Sequence, residues 1–387
     1  MGGPTEARRS RAPLPFASMD ETIDTAKINT VAIDTVVIGA GPAGLVAAYH
    51  LQRARVPFVV LDANGRVGDS WRARYDGLRL FSLPRYASLP GWRIPVRGFP
   101  TRDEMADYVE AYAARFDIPV RTGVQARRVG RAGAGFTVET GTDTYACGKV
   151  VVAAGIHTRP VVPALARDLD SGIAQLHSLE YRNPGQLASG GVLVVGAANS
   201  GTDIALESAA AGHSTWLAGR HPGQLPVNID RRSAQVLTPA FMFAHRHVLT
   251  LDTPMGRRMA QQLRGHGVTL IRNKLADLDA AGIVRIGRIT DVRNGRPASD
   301  DGAQPDVATV VWCTGSRPDH SFLELPVFAA DGAPLHKRGV TPETGLYFLG
   351  LQFQYALASS TLQGLDRDAR HIVRHLLRCR TAAPVPV

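Results

Sequence analysis

Three glycines and one aspartate carry the first chemical signal in this chain. Gly39, Gly41 and Gly44 follow the apolar run Thr35-Val36-Val37-Ile38 and precede Leu45-Val46-Ala47-Ala48. In the G-x-G-x-x-G spacing one glycine serves a tight bend, one the backbone approach to a pyrophosphate and one the packing of helix on strand. Pro42 and Ala43 then open a helix whose N-terminus attracts an anion. A second apolar run, Pro57 to Leu61, ends in Asp62, 23 residues beyond Gly39. A carboxylate there can accept both hydroxyls of an adenosine ribose. In a chain with 39 glycines the turn alone can be purely structural, but strand, turn, helix, strand and acid in this order point to a dinucleotide site.

The same order recurs after Gly191. Val192-Leu193-Val194-Val195 leads into Gly196, Ala198 and Gly201, with alanine where the second glycine would stand. A methyl group there crowds a pyrophosphate without forbidding it. The next apolar run ends in Arg220-His221, 24 residues beyond Gly196. An arginine in that place can grip a 2′-phosphate bidentately, which favours NADPH over NADH. Asn199 and Ser200, at the start of the helix, are within reach of a pyrophosphate or a nicotinamide amide. The structural alternative is a bare βαβ unit with Arg220 in a surface ion pair.

The elements that must hold these turns follow from length and pattern. At 387 residues the chain exceeds the usual single-domain range, so two packed domains are expected. No apolar run approaches the ~20 residues of a membrane span. The formal charge is +10, but the arginines are scattered without a basic block, which argues against nucleic-acid binding. Three distant cysteines, Cys147, Cys313 and Cys379, include no C-x-x-C pair; this argues against disulfide-reductase chemistry and suggests a reducing, cytoplasmic setting. Residues 1–31 read as a tail.

A long loop after Asp62 carries Ala63, Gly68-Asp69-Ser70-Trp71 and Phe81-Ser82-Leu83, and is apolar enough to cover something planar. Thr101 and Glu104 form a capping box that starts a helix. Residues 119–130, 135–139 and 143–153 read as a small meander, and the last strand ends at Ala154-Gly155. Residues 227–264 form a mostly helical insertion with Phe241, Phe243, His245 and His247. The strand Val307 to Gly315 is read as the return to the first unit. A C-terminal amphipathic helix from Ala358 to Arg378 opens with Ser359-Ser360-Thr361, read as hydroxyl caps.

Two such turns about 157 residues apart, with Asp62 after the first and Arg220 after the second, resemble the two-dinucleotide-binding flavoproteins. Gly68-Asp69-Ser70-Trp71 followed by Leu78-Arg79-Leu80 resembles the flavin-containing monooxygenase superfamily, particularly bacterial members related to the plant YUCCA enzymes. Leu176-His177-Ser178-Leu179-Glu180-Tyr181 matches the end of that superfamily's F-x-G-x-x-x-H-x-x-x-(F/Y) signature, although Ser171 and Ile173 stand in its phenylalanine and glycine positions. Thr314-Gly315-Ser316-Arg317-Pro318-Asp319 resembles its later T-G-x-x-x-D stretch.

The resemblance implies an α/β fold of two Rossmann-like domains. The FAD domain would be discontinuous, at 32–158 and 307–387, with the NADPH domain at 159–306. It implies that NADPH reduces FAD, that dioxygen adds to the flavin, and that one oxygen passes to a small organic substrate at a heteroatom or carbonyl. Gly39, Gly41, Pro42, Ala43, Gly44, Asp62, Ala63, Gly68, Ser70, Trp71, Val124, Ala154, Gly155, Gly315 and Gln352 fall to the flavin side. Gly196, Ala198, Asn199, Ser200, Gly201 and Arg220 fall to the NADPH side. Where several members use an asparagine beside the flavin, this chain offers Ser82 as the catalytic candidate. A homodimer is possible. Two alternatives remain open at this point: an NADPH-dependent flavoprotein reductase without oxygen transfer, and a non-catalytic flavin-binding sensor.

Overall fold

The computed structural model describes residues 29–224, 238–262 and 269–379. The chain opens with β1 (Asn29–Ile38), α1 (Pro42–Arg53) and β2 (Phe58–Leu61). Three helices follow: α2 (Asp69–Arg72), α3 (Pro84–Ala87) and α4 (Arg102–Arg115). Then come β3 (Val120–Arg121), β4 (Arg128–Ala132), β5 (Gly135–Glu139) and β6 (Asp143–Val152). Residues 29–31, expected in a tail, are part of β1, held by pairing of Asn29 and Thr30 with Asp143 and Thr144. The rest of the expected tail lies outside the described residues.

The first sheet has the order β3-β2-β1-β6-β5-β4. From β3 to β6 it is parallel, and from β6 to β4 it is an antiparallel meander. β3 is therefore a short parallel edge strand rather than the first strand of the meander, because its partner is β2. Alternation along the strands builds two cores. Val37, Val60 and Val151 face α1 and α4, whereas Val36, Ile38, Val59, Leu61, Val150 and Val152 face the meander. Burial on both faces explains why these strands are nearly continuous runs of β-branched residues.

β7 (Arg159–Pro160) leads out of the first unit into β8 (Ala174–His177), β9 (Val192–Val195), α5 (Asn199–Ala210) and β10 (Thr215–Ala218). After α6 (Thr238–Phe243), α7 (Pro254–Gln262) and α8 (Leu275–Ala280) come β11 (Val284–Ile286), the hairpin β12 (Ile289–Arg293) with β13 (Arg296–Ser299), and β14 (Thr309–Trp312). The second sheet, β11-β10-β9-β14-β8, is parallel throughout. β14 thus lies between β9 and β8, and the expected return to the first unit at residue 307 is corrected. The chain crosses back at β15 (Ser316–Arg317), which pairs with β7 as a two-stranded ribbon. It then adds β16 (Leu346–Phe348) beside the C-terminal half of β6, and α9 (Leu362–Arg378) against α1.

Of the expected helical insertion, 227–237 and 263–264 lie outside the described residues. Its described part, 238–262, docks on the segment that leads into α9. The Leu251 amide donates to the Tyr355 carbonyl at 2.8 Å, and the Leu357 amide to the Leu249 carbonyl at 3.0 Å. The Tyr355 hydroxyl donates to Asp252 Oδ2 at 2.8 Å, while the guanidinium groups of Arg338 and Arg367 lie 3.6 and 4.7 Å from its ring centroid. Gln363 Nε2 donates to His245 Nδ1 at 2.7 Å, a bond that requires a neutral imidazole.

Two stability predictions follow from this packing. In α4, Thr101 Oγ1 accepts from the Glu104 amide at 3.2 Å and Glu104 Oε2 accepts from the Thr101 amide at 2.8 Å, so the capping box is formed. Thr101→Ala is expected to lower unfolding free energy by about 1 kcal/mol in urea titration. Burial, reinforced by Arg367, pushes the His245 imidazole down from 6.5 to about 4. Its folded pKa is depressed, so its contribution to stability is complete above pH 6.5 and is lost as the pH falls towards 4. Melting temperature is expected to fall across that window, and to fall less in His245→Gln.

Candidate functional site

The two glycine turns have the same construction. At the end of β1, Gly39 takes φ +104°, and a Cβ on it would lie 2.5 Å from the Ala153 carbonyl oxygen. Its amide donates to the Leu61 carbonyl at 2.7 Å. A Cβ on Gly44 would overlap the carbonyl oxygen of Gly39, so α1 starts as close to its strand as the backbone permits. Gly41 differs: its φ and ψ are −70° and 178°, open to any residue, and a Cβ on it would meet nothing within 4 Å. No side chain caps α1 and its first turn has no acidic residue. The turn thus presents a positive helix end to open space, which fits a pyrophosphate.

Asp62, at the end of β2, is buried against this turn. Its Oδ2 accepts from the Ala40 amide at 2.5 Å, and its Oδ1 accepts from the Asn64 amide and side chain at 2.8 and 2.7 Å. The Val124 amide donates to the Asp62 carbonyl at 2.9 Å, so Asp62, exposed Ala63 and half-buried Val124 form one end of the site. Ala154 and Gly155 continue from the carbonyl against which Gly39 packs, and a Cβ on Gly155 would enter open space. Gly350, just past β16, packs against Ala43, with exposed Gln352 two residues on.

The loop residues divide by environment. A Cβ on Gly68 would lie 2.5 Å from the Ala106 carbonyl oxygen, which seats α2 on α4, and Arg72 fastens the pair through Asp107 at 2.8 Å and Glu110 at 2.9 Å. Ser70 is exposed, whereas Trp71 is half-buried against the core beneath α4. Ser82 is half-buried in a loop whose flanks are held by Leu80 to Pro100 at 2.8 Å and Arg102 to Leu78 at 3.1 Å.

In the second turn Gly196 takes φ +117° and packs on the Cys313 carbonyl, its amide donating to Ala218 at 2.8 Å. A Cβ on Gly201 would overlap the Gly196 carbonyl oxygen, repeating the first turn. Ala198 has φ −86° and ψ −170°, close to Gly41, so alanine is unstrained there. Asn199 is half-buried, and Ser200 and Arg220 are exposed. Arg220 makes no ion pair among the described residues. His177 accepts at Nδ1 from the Leu179 amide at 3.1 Å, which leaves Nε2 to donate to the Gly315 carbonyl at 2.9 Å, and burial lowers its pKa. His177 therefore props the loop at Gly315. Cys313 and Gly315 stand to the second turn as Ala153 and Gly155 stand to the first. The repeat Val-x-(Ala/Cys)-x-Gly, at 151–155 and 311–315, was the signal available in the sequence.

The expected hydroxyl caps of α9 are corrected. Ser359 Oγ accepts from the amides of Tyr355 and Ala356 at 3.0 Å each, and Thr361 Oγ1 donates to the Ala358 carbonyl at 2.8 Å. Both hydroxyls are thus drawn back into the preceding turn, and α9 has no side-chain cap.

Residues 36–236 match the family model described as pyridine nucleotide-disulphide oxidoreductase. An uncharacterized oxidoreductase CzcO-like protein of Geobacillus kaustophilus is 34% identical over 349 residues, covering 89% of this chain and 98% of that protein. The chain belongs to this family, within the flavin-containing monooxygenase superfamily. The probable indole-3-pyruvate monooxygenase YUCCA8 of Arabidopsis thaliana is 28% identical, with 93% of each chain covered. A flavin-containing monooxygenase from Stenotrophomonas maltophilia has the same fold, with a TM-score of 0.74 at 25% identity, covering 91% of this chain and 99% of that one. The protein is an oxidoreductase of the flavin-dependent monooxygenase type, and enzymes of this class use FAD and NADPH. Cys147, Cys313 and Cys379 are all free. Among the described residues no helix is long and apolar enough to cross a membrane.

The contrast between Gly41 and Gly44 yields a paired prediction. Gly44→Ala, with no space for its methyl group, is expected to destabilise the apoprotein by about 3 kcal/mol or more. Gly41→Ala is expected to leave the apoprotein's melting temperature unchanged and to lower retained flavin, measured by absorbance after gel filtration.

Proposed function

We propose that the first turn holds the FAD pyrophosphate, with Asp62 on the adenosine ribose, and that the second holds NADPH, with Arg220 on the 2′-phosphate. What supports the assignment is that the two turns share one construction yet end differently. The first closes on a buried carboxylate, and the second on an exposed arginine without a carboxylate partner among the described residues. We assign residues 316–379 to the flavin unit together with the part up to about 158, and the intervening segment to the NADPH unit.

When bound, the flavin accepts two electrons from NADPH and passes them to dioxygen, so that one oxygen atom enters the substrate and the other leaves as water. The chain's own residues position the components. The α1 amides neutralise pyrophosphate charge, Asp62 orients the adenosine, and Asn199 and Ser200 steady the nicotinamide half. The uncapped N-terminus of α9 would favour negative charge on the reduced ring if it faces the flavin. Ser82, half-buried in a held loop, would be the side chain that offers a hydroxyl to the flavin. The docked insertion keeps water from the space before α9.

The test is stoichiometric. The purified yellow protein is expected to consume NADPH and O2 in equal amounts with a panel of amines, sulfides, ketones and aromatic oxo-acids. Indole-3-pyruvate, named for the YUCCA relatives, belongs in that panel. One substrate should give product labelled from 18O2. Stoichiometric hydrogen peroxide with every substrate would instead identify a reductase. Arg220→Ala is expected to raise the Kd for NADPH about tenfold, equivalent to ~1.4 kcal/mol, and to leave that for NADH unchanged.

A further inference from the structure

The two units meet at a buried polar contact between the loop after α2 and the first turns of α5. Tyr75, from the loop after α2, donates its hydroxyl to Asp203 Oδ2 on α5 at 2.9 Å. The two residues are 4% and 8% exposed. Asp203 Oδ1 accepts from Arg272 and from Asn273 Nδ2, and Asn273 also donates to Thr202 Oγ1 at 3.0 Å. One turn further along α5, Glu207 accepts from the Tyr181 hydroxyl at 3.0 Å, and a Cβ on Gly77 would overlap its carboxylate. The backbone joins in, with the Asp76 amide donating to the Arg182 carbonyl at 2.7 Å and Asn183 Nδ2 to Asp76 Oδ2 at 2.7 Å. Burial raises the pKa of the Tyr75 phenol, so the donor stays protonated.

The covalent connections between the units are weaker constraints. They run through the β7–β15 ribbon, with two residue pairs and an ion pair at 2.7 Å between exposed Arg159 and half-buried Asp319. Such a ribbon permits rotation, whereas a desolvated hydrogen bond to a carboxylate has a defined distance and direction. The contact also lies on the element that matters: Asp203 is one helical turn from Asn199, where α5 begins at the second glycine turn.

We propose that Tyr75 is a positioning residue, its hydroxyl on Asp203 fixing α5 against the first unit and thereby fixing the distance over which NADPH reduces the flavin. This rests on the assignment of the two cofactors made above. Electron transfer as hydride demands reacting atoms about 3–3.5 Å apart, and a displacement of about 1 Å can cost a hundredfold in rate. Beside Asp203, Tyr75 engages Ser200 at the start of α5 and not Arg220, so the 2′-phosphate contact that dominates NADPH affinity should not depend on it.

The test is Tyr75→Phe, which keeps the ring and removes the hydroxyl, with Asp203→Asn as the second variant. Anaerobic rapid mixing with NADPH is expected to show a limiting rate of flavin reduction lowered about tenfold or more, and a Kd for NADPH within twofold of the parent. Hydrogen exchange of the apoprotein is expected to be faster at the Asp76 amide and in the first turns of α5, and unchanged in α4. An unchanged limiting rate together with unchanged exchange overturns the proposal, as does a rate loss that simply follows flavin loss or a higher Kd. If NADPH fails to reduce the flavin of the unmodified protein, the cofactor assignment fails. The exchange measurement then decides alone whether Tyr75 fixes α5.

Discussion

Everything in this molecule depends on how closely a helix can start beside the strand that precedes it. In both units the third glycine of the turn rests on the carbonyl oxygen of the first, and the first rests on the carbonyl of a neighbouring strand, at Ala153 or Cys313. No side chain larger than hydrogen fits at either third position. This packing puts the first turn of α1 or α5 at the carboxyl edge of its sheet, with no side-chain cap and no acidic residue in the first turn of either helix. The anion site proposed at each turn would follow from this steric arrangement of backbone rather than from charged side chains.

The middle position of the turn obeys a different rule. Gly41 and Ala198 have nearly the same extended backbone, which every amino acid adopts readily. The fold around Gly41 makes no demand for glycine, so under the proposed assignment the demand would come from the ligand. The two units therefore share a fold constraint and differ in a binding constraint, which is why a substitution in the second turn leaves its architecture intact.

What could be read from the sequence was whatever is decided by neighbours along the chain. The glycine spacing, the acid after the second strand, the Thr101 capping box and the alternation of the buried strands are all local demands, and the structure contains each of them. The membership of β14 was not readable in the same way. A short run of buried β-branched residues states that it is a central strand but not of which sheet, and Thr309–Trp312 joined the second. Ser359 and Thr361 have the composition of caps, yet their hydroxyls serve the preceding turn: Ser359 accepts from the amides of Tyr355 and buried Ala356, and Thr361 donates to the Ala358 carbonyl. The Tyr75–Asp203 contact spans 128 positions and leaves no periodic trace.

The first unit is split by the second, and its core is completed by β16 and by Leu365, Ala369, Ile372, Val373 and Leu376 of α9. During synthesis, the part that emerges first therefore waits for the part that emerges last. All five strands of the second sheet are synthesised before β16 and α9, so that sheet can close while the face of α1 that α9 covers is still uncovered. The unit that begins first is thus the one whose core closes last, and the face of α1 that α9 covers stays exposed until α9 is made.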